Sequence, residues 1–357
     1  MNRRKVLLFG MCVETEYEFR TPMHRADSGA PVDLIFECSF GTHLPFDSQE
    51  MRIAASRETN RYGEAAVSVY SIPAGHRMRF PRIADFSLYP GRITCALHKP
   101  SLAHMVEICL LGHVLAWYLE RSGIPALHGG ALALDGRAAL FLADRGGGKS
   151  TLVASLLNRG FSLLGDDIAA VEPCGGYTCC RPAFPQIKLT PEQAELFVGT
   201  CEGYTRVHPG YGKLSVPARD LGSFETSARP VHRIYLLDRR QPGSAVELER
   251  IPPGVAIIGL IRSAFLAELV SDLHSLRERR FHRFSTLVEH VPVMRLRYPT
   301  GYDALPSVAE ILTADLRGSA ADSRVLSEPF DVVRNVRHSS GSSREGSTCS
   351  SMNRSRG

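Results

Sequence analysis

The chain has 357 residues, 44% of them hydrophobic, and a formal net charge of +5. That length allows two domains at roughly 100–200 residues each, and the hydrophobic fraction is ordinary for a globular protein. Much of the positive excess lies in a Ser/Arg/Gly-rich C-terminal stretch, so composition gives no ground for a nucleic-acid partner. The nine cysteines form no C-x-x-C pair and no zinc spacing. Their odd count, with no secretion signal, fits a reducing, cytoplasmic setting. A basic, apolar start is followed at once by Glu14, Glu16 and Glu18, which is not the layout of a signal peptide.

Residues 1–98 read as a β-rich accessory domain. Short runs at 5–9, 32–38, 65–72 and 92–97 carry β-branched and aromatic residues between Pro, Gly and Asp breaks. Arg52, Arg57, Glu58 and Arg61 read as a solvated charged face. A helix capped by Ser101 is expected to run to Arg121 and to end at Gly123. Its apolar part, 105–119, contains Glu107 and His113 and is too short to span a bilayer, so it reads as a buried core helix and no membrane partner is expected.

Two apolar runs, 131–134 and 138–142, flank Asp135-Gly136, a hairpin-turn pair that gives the second run an antiparallel neighbour. That run leads into Ala143-Asp144-Arg145-Gly146-Gly147-Gly148-Lys149-Ser150-Thr151 and then into apolar 152–157. Strand, glycine-rich loop, helix is the context of a phosphate-binding P-loop. A strand at 161–164 then delivers Gly165-Asp166-Asp167, with another at 168–171. Pro182, Pro185, Pro191, Pro209 and Pro217 make 174–230 loop-rich. Strands are expected at 231–237, 245–251 and 293–298, and helices at 254–270, 272–288 and 305–316. Residues 319–357 lack the apolar residues to offset the entropy of ordering and read as a disordered tail.

The chemistry gathers around the glycine loop. Backbone N–H groups at a helix N-terminus converge on one point and carry the positive end of the helix dipole. Glycines at 146, 147 and 148 let the backbone close on a polyphosphate, Lys149 can reach the β- and γ-phosphates, and Ser150 can ligate Mg²⁺. The pattern G-x-x-x-x-G-K-[ST] is broken only at its first position, where Ala143 stands for glycine. Asp166 and Asp167, at the end of an apolar strand, offer one carboxylate to orient Mg²⁺ and one to accept the proton of an attacking hydroxyl. Side by side, like charges raise one of the two pKa values. His128 precedes the hairpin and can tune the proton affinity of that pair.

The order Leu127-His128-Gly129-Gly130, Asp135-Gly136-Arg137, Gly146 to Thr151, Arg159-Gly160 and Asp166-Asp167 resembles the C-terminal catalytic domain of HPr kinase/phosphorylase. Within that family it is similar to the HPr-kinase-like proteins encoded beside lasso-peptide biosynthesis genes, which phosphorylate a serine at the end of a precursor peptide. The match covers residues 127–167. The resemblance implies an α/β (α+β) fold with a P-loop core of the phosphoenolpyruvate-carboxykinase-like type, a mixed sheet, and a catalytic domain over 99–318. It also implies ATP and Mg²⁺ as cofactors, a peptide substrate as partner, and a homo-oligomer. Arg145, Gly146, Gly147, Gly148, Lys149, Ser150 and Thr151 would hold the nucleotide, Ser150 and Asp166 the metal. Asp167 matches the general base, with Asp166 its acidic neighbour and His128 the active-site histidine. The family's Glu-x-Arg-Gly-x-Gly segment has no counterpart in 172–230, which argues against the reverse, phosphorylase reaction and against HPr as acceptor. Arg181, Lys188, Lys213 and Arg262 are further candidates for phosphate or carboxylate contacts, each read first as a surface residue. Other readings are a P-loop kinase for another protein or a small-molecule hydroxyl, or a nucleotide-binding sensor that transfers nothing.

Overall fold

Alternating buried and open positions, as in Arg4–Leu8 and Leu34–Phe40, make the first hundred residues strands rather than helices. The computed structural model describes residues 3–41, 44, 49–144, 146–271 and 273–318. The expected disorder of 319–357 lies outside the described residues. Nine strands form one sheet in the order His24–Arg25, Arg4–Leu8, Met11–Thr15, Leu34–Phe40, Arg92–Leu97, Ala84–Tyr89, Gly75–Phe80, Ser68–Ile72, Met51–Ala55. Leu34–Phe40 runs parallel to both its neighbours, and the other pairs are antiparallel.

The segment after this sheet is helical, as expected, but Ser101 does not cap it. Pro100 opens a 3-10 turn over Pro100–Leu102, and no side chain caps either that turn or the helix Ala103–Cys109. Gly112 takes non-helical angles and the ladder widens to a π-type turn over Leu110–Val114 before Leu115–Arg121 resumes. Pro100–Arg121 is long and apolar enough to cross a membrane by composition. In the fold its Val106, Leu110, Val114 and Trp117 are buried in one core with Phe36, Phe86 and Ile93 of the sheet. Glu107, also buried, accepts the main-chain N–H groups of Arg20 at 2.6 Å and Thr21 at 2.8 Å.

The second sheet is mixed. Asp135 and Gly136, both at positive φ, turn Ala126–Leu134 back antiparallel onto Arg137–Leu142, as the sequence predicts. The other edge of Arg137–Leu142 pairs parallel with Arg229–Arg240, which pairs parallel with Val293–Pro299. Ala126–Leu134 also pairs with Ile168–Cys174, that strand with Tyr177–Cys180, and that one with Arg229–Arg240. The pairings therefore close into a five-stranded ring. One core lies against helices Pro253–Arg262 and His274–His290. The other lies under Lys149–Leu157 and Leu305–Gly318.

Residues 174–230, expected to be loop-rich, carry regular structure. Gln186–Leu189, Tyr211–Pro217 and Arg206–His208 form a small antiparallel sheet, and Pro191–Val198 is a helix. The prolines mark element boundaries instead of breaking elements. Pro191 sits in the first turn behind a Thr190/Gln193 capping box, and Pro217 closes a strand. Of the two helices expected over 254–288, the first stops at Arg262, a short turn Ala267–Val270 follows, and the second runs His274–His290.

Gly129 sits where the two hairpin strands meet without room for a side chain. A Cβ there would lie 2.4 Å from Leu142 Cδ2 and 2.8 Å from the Phe141 carbonyl oxygen. Gly129→Ala is expected to destabilise the protein by roughly 1–3 kcal/mol, the usual cost of overpacking. Urea denaturation checks this, and an unchanged midpoint would mean that the strand pair spreads freely.

Candidate functional site

Arg137–Leu142 delivers the chain into the glycine loop with Ala143 half-buried. Ala143 does not adopt a positive φ, so alanine costs nothing at that position. Gly146 (φ +81°) and Gly148 (φ +83°) do, and Gly148 is the N-cap of the buried helix Lys149–Leu157. At Gly147 a Cβ would lie 2.7 Å from the Ala143 Cβ and 3.0 Å from the Asp144 carbonyl oxygen. The loop thus has the close, side-chain-free wrap the sequence implies. Arg145 lies outside the described residues. Lys149 turns its ammonium back over the loop, donating to the carbonyls of Ala143 at 2.6 Å and Asp144 at 3.2 Å. Thr151 accepts from Gln193 Nε2 at 2.7 Å, which ties the new helix to Lys149–Leu157.

The acidic pair occupies a break in what would otherwise be one strand. Ser162–Gly165 and Ile168–Cys174 both lie antiparallel along the same edge of Ala126–Leu134, and Asp166-Asp167 is the kink between them. Asp167 is held at φ +72°, an expensive geometry for a residue with a side chain. Two donors fix it: Gly129 N–H at 3.1 Å and His128 Nδ1 at 3.1 Å both reach the Asp167 main-chain carbonyl. Burial, then the nearby Lys149, depress the His128 pKa, so the imidazole is neutral at pH 7 with its proton on Nδ1. As an imidazolium His128 would lower the Asp167 pKa, in the sense the sequence reading expects, but burial disfavours that form. Its hydrogen bond goes to backbone.

Two lysines complete the site. Lys188 Nζ pairs with Asp167 Oδ2, and the Lys188 N–H donates to Asp166 Oδ2 at 3.0 Å. Lys213 Nζ donates to Ser150 Oγ at 3.3 Å. Lys188 and Lys213 are therefore site residues rather than surface residues. The available signal was the alternation in Gln186–Leu189 and Tyr211–Pro217, hidden by the proline count. Arg181 is elsewhere engaged, pairing with Glu172 and donating to the Phe9 carbonyl. Arg262 is exposed in the last turn of its helix.

The two carboxyls are driven apart. Burial, then the charge of Asp167, push Asp166 up to about 6. Burial also acts on Asp167, but Lys188 outweighs it and holds that carboxyl below the usual carboxylate range. Burial lowers Lys149, with Asp167 and Asp166 opposing. Desolvation works against the Lys188 charge, yet Asp167 and Asp166 raise its pKa overall. The carboxyl whose pKa is raised is thus Asp166, while the more accessible one is Asp167, with 29% of its side chain exposed against 5% for Asp166 as a residue.

The residues fit a phosphate group with Mg²⁺. The loop is a cradle that a Cβ would fill, and a hydroxyl with a carboxylate is a hard oxygen donor set. Among the described residues no group of three His, Cys, Asp or Glu could hold a metal alone, so Ser150 and Asp166 would share it with phosphate oxygens.

The fold and site define a mixed α/β protein with a glycine loop facing an acidic pair. Among solved structures the chain is similar to the HPr(Ser) kinase/phosphatase from Coxiella burnetii, at 16% identity over 55% of this chain and 98% of that one, with a TM-score of 0.29. No protein-family model and no curated protein matches the chain.

Asp166 links the site to stability. Its folded-state pKa lies above the unfolded value, so the native state holds this proton the more tightly. The stability from that proton is complete below the unfolded value near 3.8 and is lost as pH rises through about 6. Asp166→Asn removes the buried charge and keeps an acceptor for the Lys188 N–H. Relative to wild type, its melting temperature is expected to rise between roughly pH 4 and pH 7, by a few degrees. A gap that does not change with pH would show that Asp166 is ionised throughout.

Proposed function

We propose that the chain is a phosphotransferase that uses ATP and Mg²⁺ to phosphorylate a serine hydroxyl of a peptide, the C-terminal serine of a lasso-peptide precursor. The observation that carries the reading is the meeting of Lys149, at the start of a helix opened by left-handed Gly148, with the Asp166–Asp167 kink and Lys188. The sequence resemblance over 127–167 supports the acceptor class.

Bound nucleotide supplies the phosphoryl group. The loop amides and the N-terminus of Lys149–Leu157 hold negative charge, and Lys149 exchanges the carbonyls of Ala143 and Asp144 for phosphate oxygens. Ser150 and Asp166 would hold Mg²⁺, which would offset negative charge on the phosphate oxygens. Asp167 accepts the proton of the serine hydroxyl on Oδ1, since Lys188 occupies Oδ2. Lys188 keeps that carboxylate ionised, and His128 and Gly129 hold its main chain in place. These contributions are positioning and electrostatics.

Mass spectrometry of peptides ending in serine, incubated with Mg-ATP, is expected to find one added phosphate, lost when that serine is alanine. Lys149→Ala should abolish labelling and weaken thermal stabilisation by Mg-ATP. Asp167→Asn should keep that stabilisation while transfer falls by roughly two to four orders of magnitude. Labelling of small hydroxy compounds but of no peptide would move the acceptor to another class. Stabilisation without any transfer would leave a nucleotide sensor.

Lys188→Met tests the pairing separately. A carboxylate that has lost its cation binds its proton more tightly, so the acid limb of the pH–rate profile should move to higher pH. An unmoved limb would assign the base to another group.

A further inference from the structure

Tyr298 is 2% exposed, and its hydroxyl has no hydrogen-bond partner among the described residues. Polar groups buried this deeply are almost always bonded, so an orphaned donor calls for a reason. Its position supplies one. A Cβ on Gly148 would lie 3.1 Å from the Tyr298 hydroxyl and 3.1 Å from Arg239 Cδ. Tyr298 and Arg239 are opposite each other in the parallel pair Arg229–Arg240 and Val293–Pro299, and both reach the last glycine before Lys149.

Arg239 is also unspent. Its neighbours in the same strands are committed: Arg240 pairs with Asp238 at 2.6 Å, and Arg297 pairs with Glu249 at 2.9 Å. Arg239 is exposed and has no carboxylate partner among the described residues. Burial pushes the Tyr298 pKa up to about 12, with Arg239 pulling the other way, so the phenol keeps its proton and offers a donor.

We infer that Tyr298 and Arg239 form a second wall of the phosphate site, in which the phenol and the guanidinium donate to oxygens of a nucleoside triphosphate held by the Gly146–Lys149 loop. This rests on the nucleotide reading above and adds residues to it that the loop motif does not include. A phosphate would then be gripped from two sides. Lys149 and the loop amides reach it along the helix axis, and Arg239 and Tyr298 reach it from the strand ends. Arg239 supplies a charge-assisted bond of the kind that suits phosphate.

The test is nucleotide binding by calorimetry on wild type, Tyr298→Phe and Arg239→Gln, with Mg-ATP and with adenosine as probes. Tyr298→Phe removes one oxygen that has no partner in the protein, so without nucleotide its melting temperature should equal or exceed that of wild type. With Mg-ATP its Kd should rise roughly tenfold to a hundredfold, and that of Arg239→Gln at least as much, the range expected for losing one hydrogen bond to a charged group. Adenosine binding should not change in either variant. If wild type binds Mg-ATP and both variants bind it equally well, this inference is overturned while the nucleotide reading stands. If wild type binds no Mg-ATP, the nucleotide reading fails and takes this inference with it. A Tyr298→Phe protein that melts earlier without nucleotide would mean that the hydroxyl serves the fold, and would overturn the inference for Tyr298.

Discussion

Two adjacent carboxylates in a buried kink repel each other, and the arrangement of the site follows from that repulsion. Asp166 is buried and Asp167 partly so, and a nearby cation eases the ionisation of both. Lys188 answers the problem twice, with its ammonium on Asp167 and its main-chain N–H on Asp166. The result is asymmetric: one carboxyl is drawn below its usual range and the other rises to about 6. Lys149 and Lys213 add positive potential without pairing directly with either carboxylate. The small sheet that carries Lys188 and Lys213 is thus part of the site's electrostatics.

That constraint explains which parts were legible in the sequence. The glycine loop, the hairpin at Asp135-Gly136 and the position of the acidic pair are local, and each has a local residue signature. The structure puts them where the spacing predicts. Lys188 and Lys213 were read first as surface lysines, because their relation to Asp167 and Ser150 spans long sequence separations that no period reports. The region between them was misread for a related reason. Proline density suggests loop, yet Thr190-Pro191-Glu192-Gln193 is a helix-start signature in its own right, and the capping box forms. Ser101 failed in the opposite way: a good capping residue was passed over because Pro100 starts the turn earlier.

The first sheet bears on the site through a shared core, which includes Ile168 and Ala170, and through a set of main-chain hydrogen bonds. The turn at Phe9-Gly10 donates its N–H groups to the carbonyls of Ala183 and Pro182, and Arg181 returns a bond to the Phe9 carbonyl. Ala183 in turn donates to the Leu164 carbonyl at 2.6 Å, two residues before Asp166. Gly165 has no side chain because a Cβ there would lie 2.9 Å from the Ala183 Cβ and 3.0 Å from the Ile168 carbonyl oxygen. The strand leading into Asp166 is therefore braced from outside by a segment that the N-terminal hairpin holds.

The bracing matters because the kink stores strain. A non-glycine residue at φ +72° costs of order 1–3 kcal/mol and persists only where its surroundings over-determine it. At Asp167 the determination comes from three directions. His128 and Gly129 bind the carbonyl, Lys188 binds the carboxylate, and Ala183 packs against the preceding glycine. The pairing with Ala126–Leu134 keeps one register through the kink, since Ala131 opposes Gly165 and His128 opposes Ile168, and the one-residue shift lies earlier, between Ala131 and Leu132. Past the kink, Ile168 and Ala170 enter one core and Ala169 the other, so the strand resumes with both faces covered. The hydrophobic pattern downstream thus anchors the strand that leaves the kink, while the bonds to His128, Gly129 and Lys188 hold the kink itself.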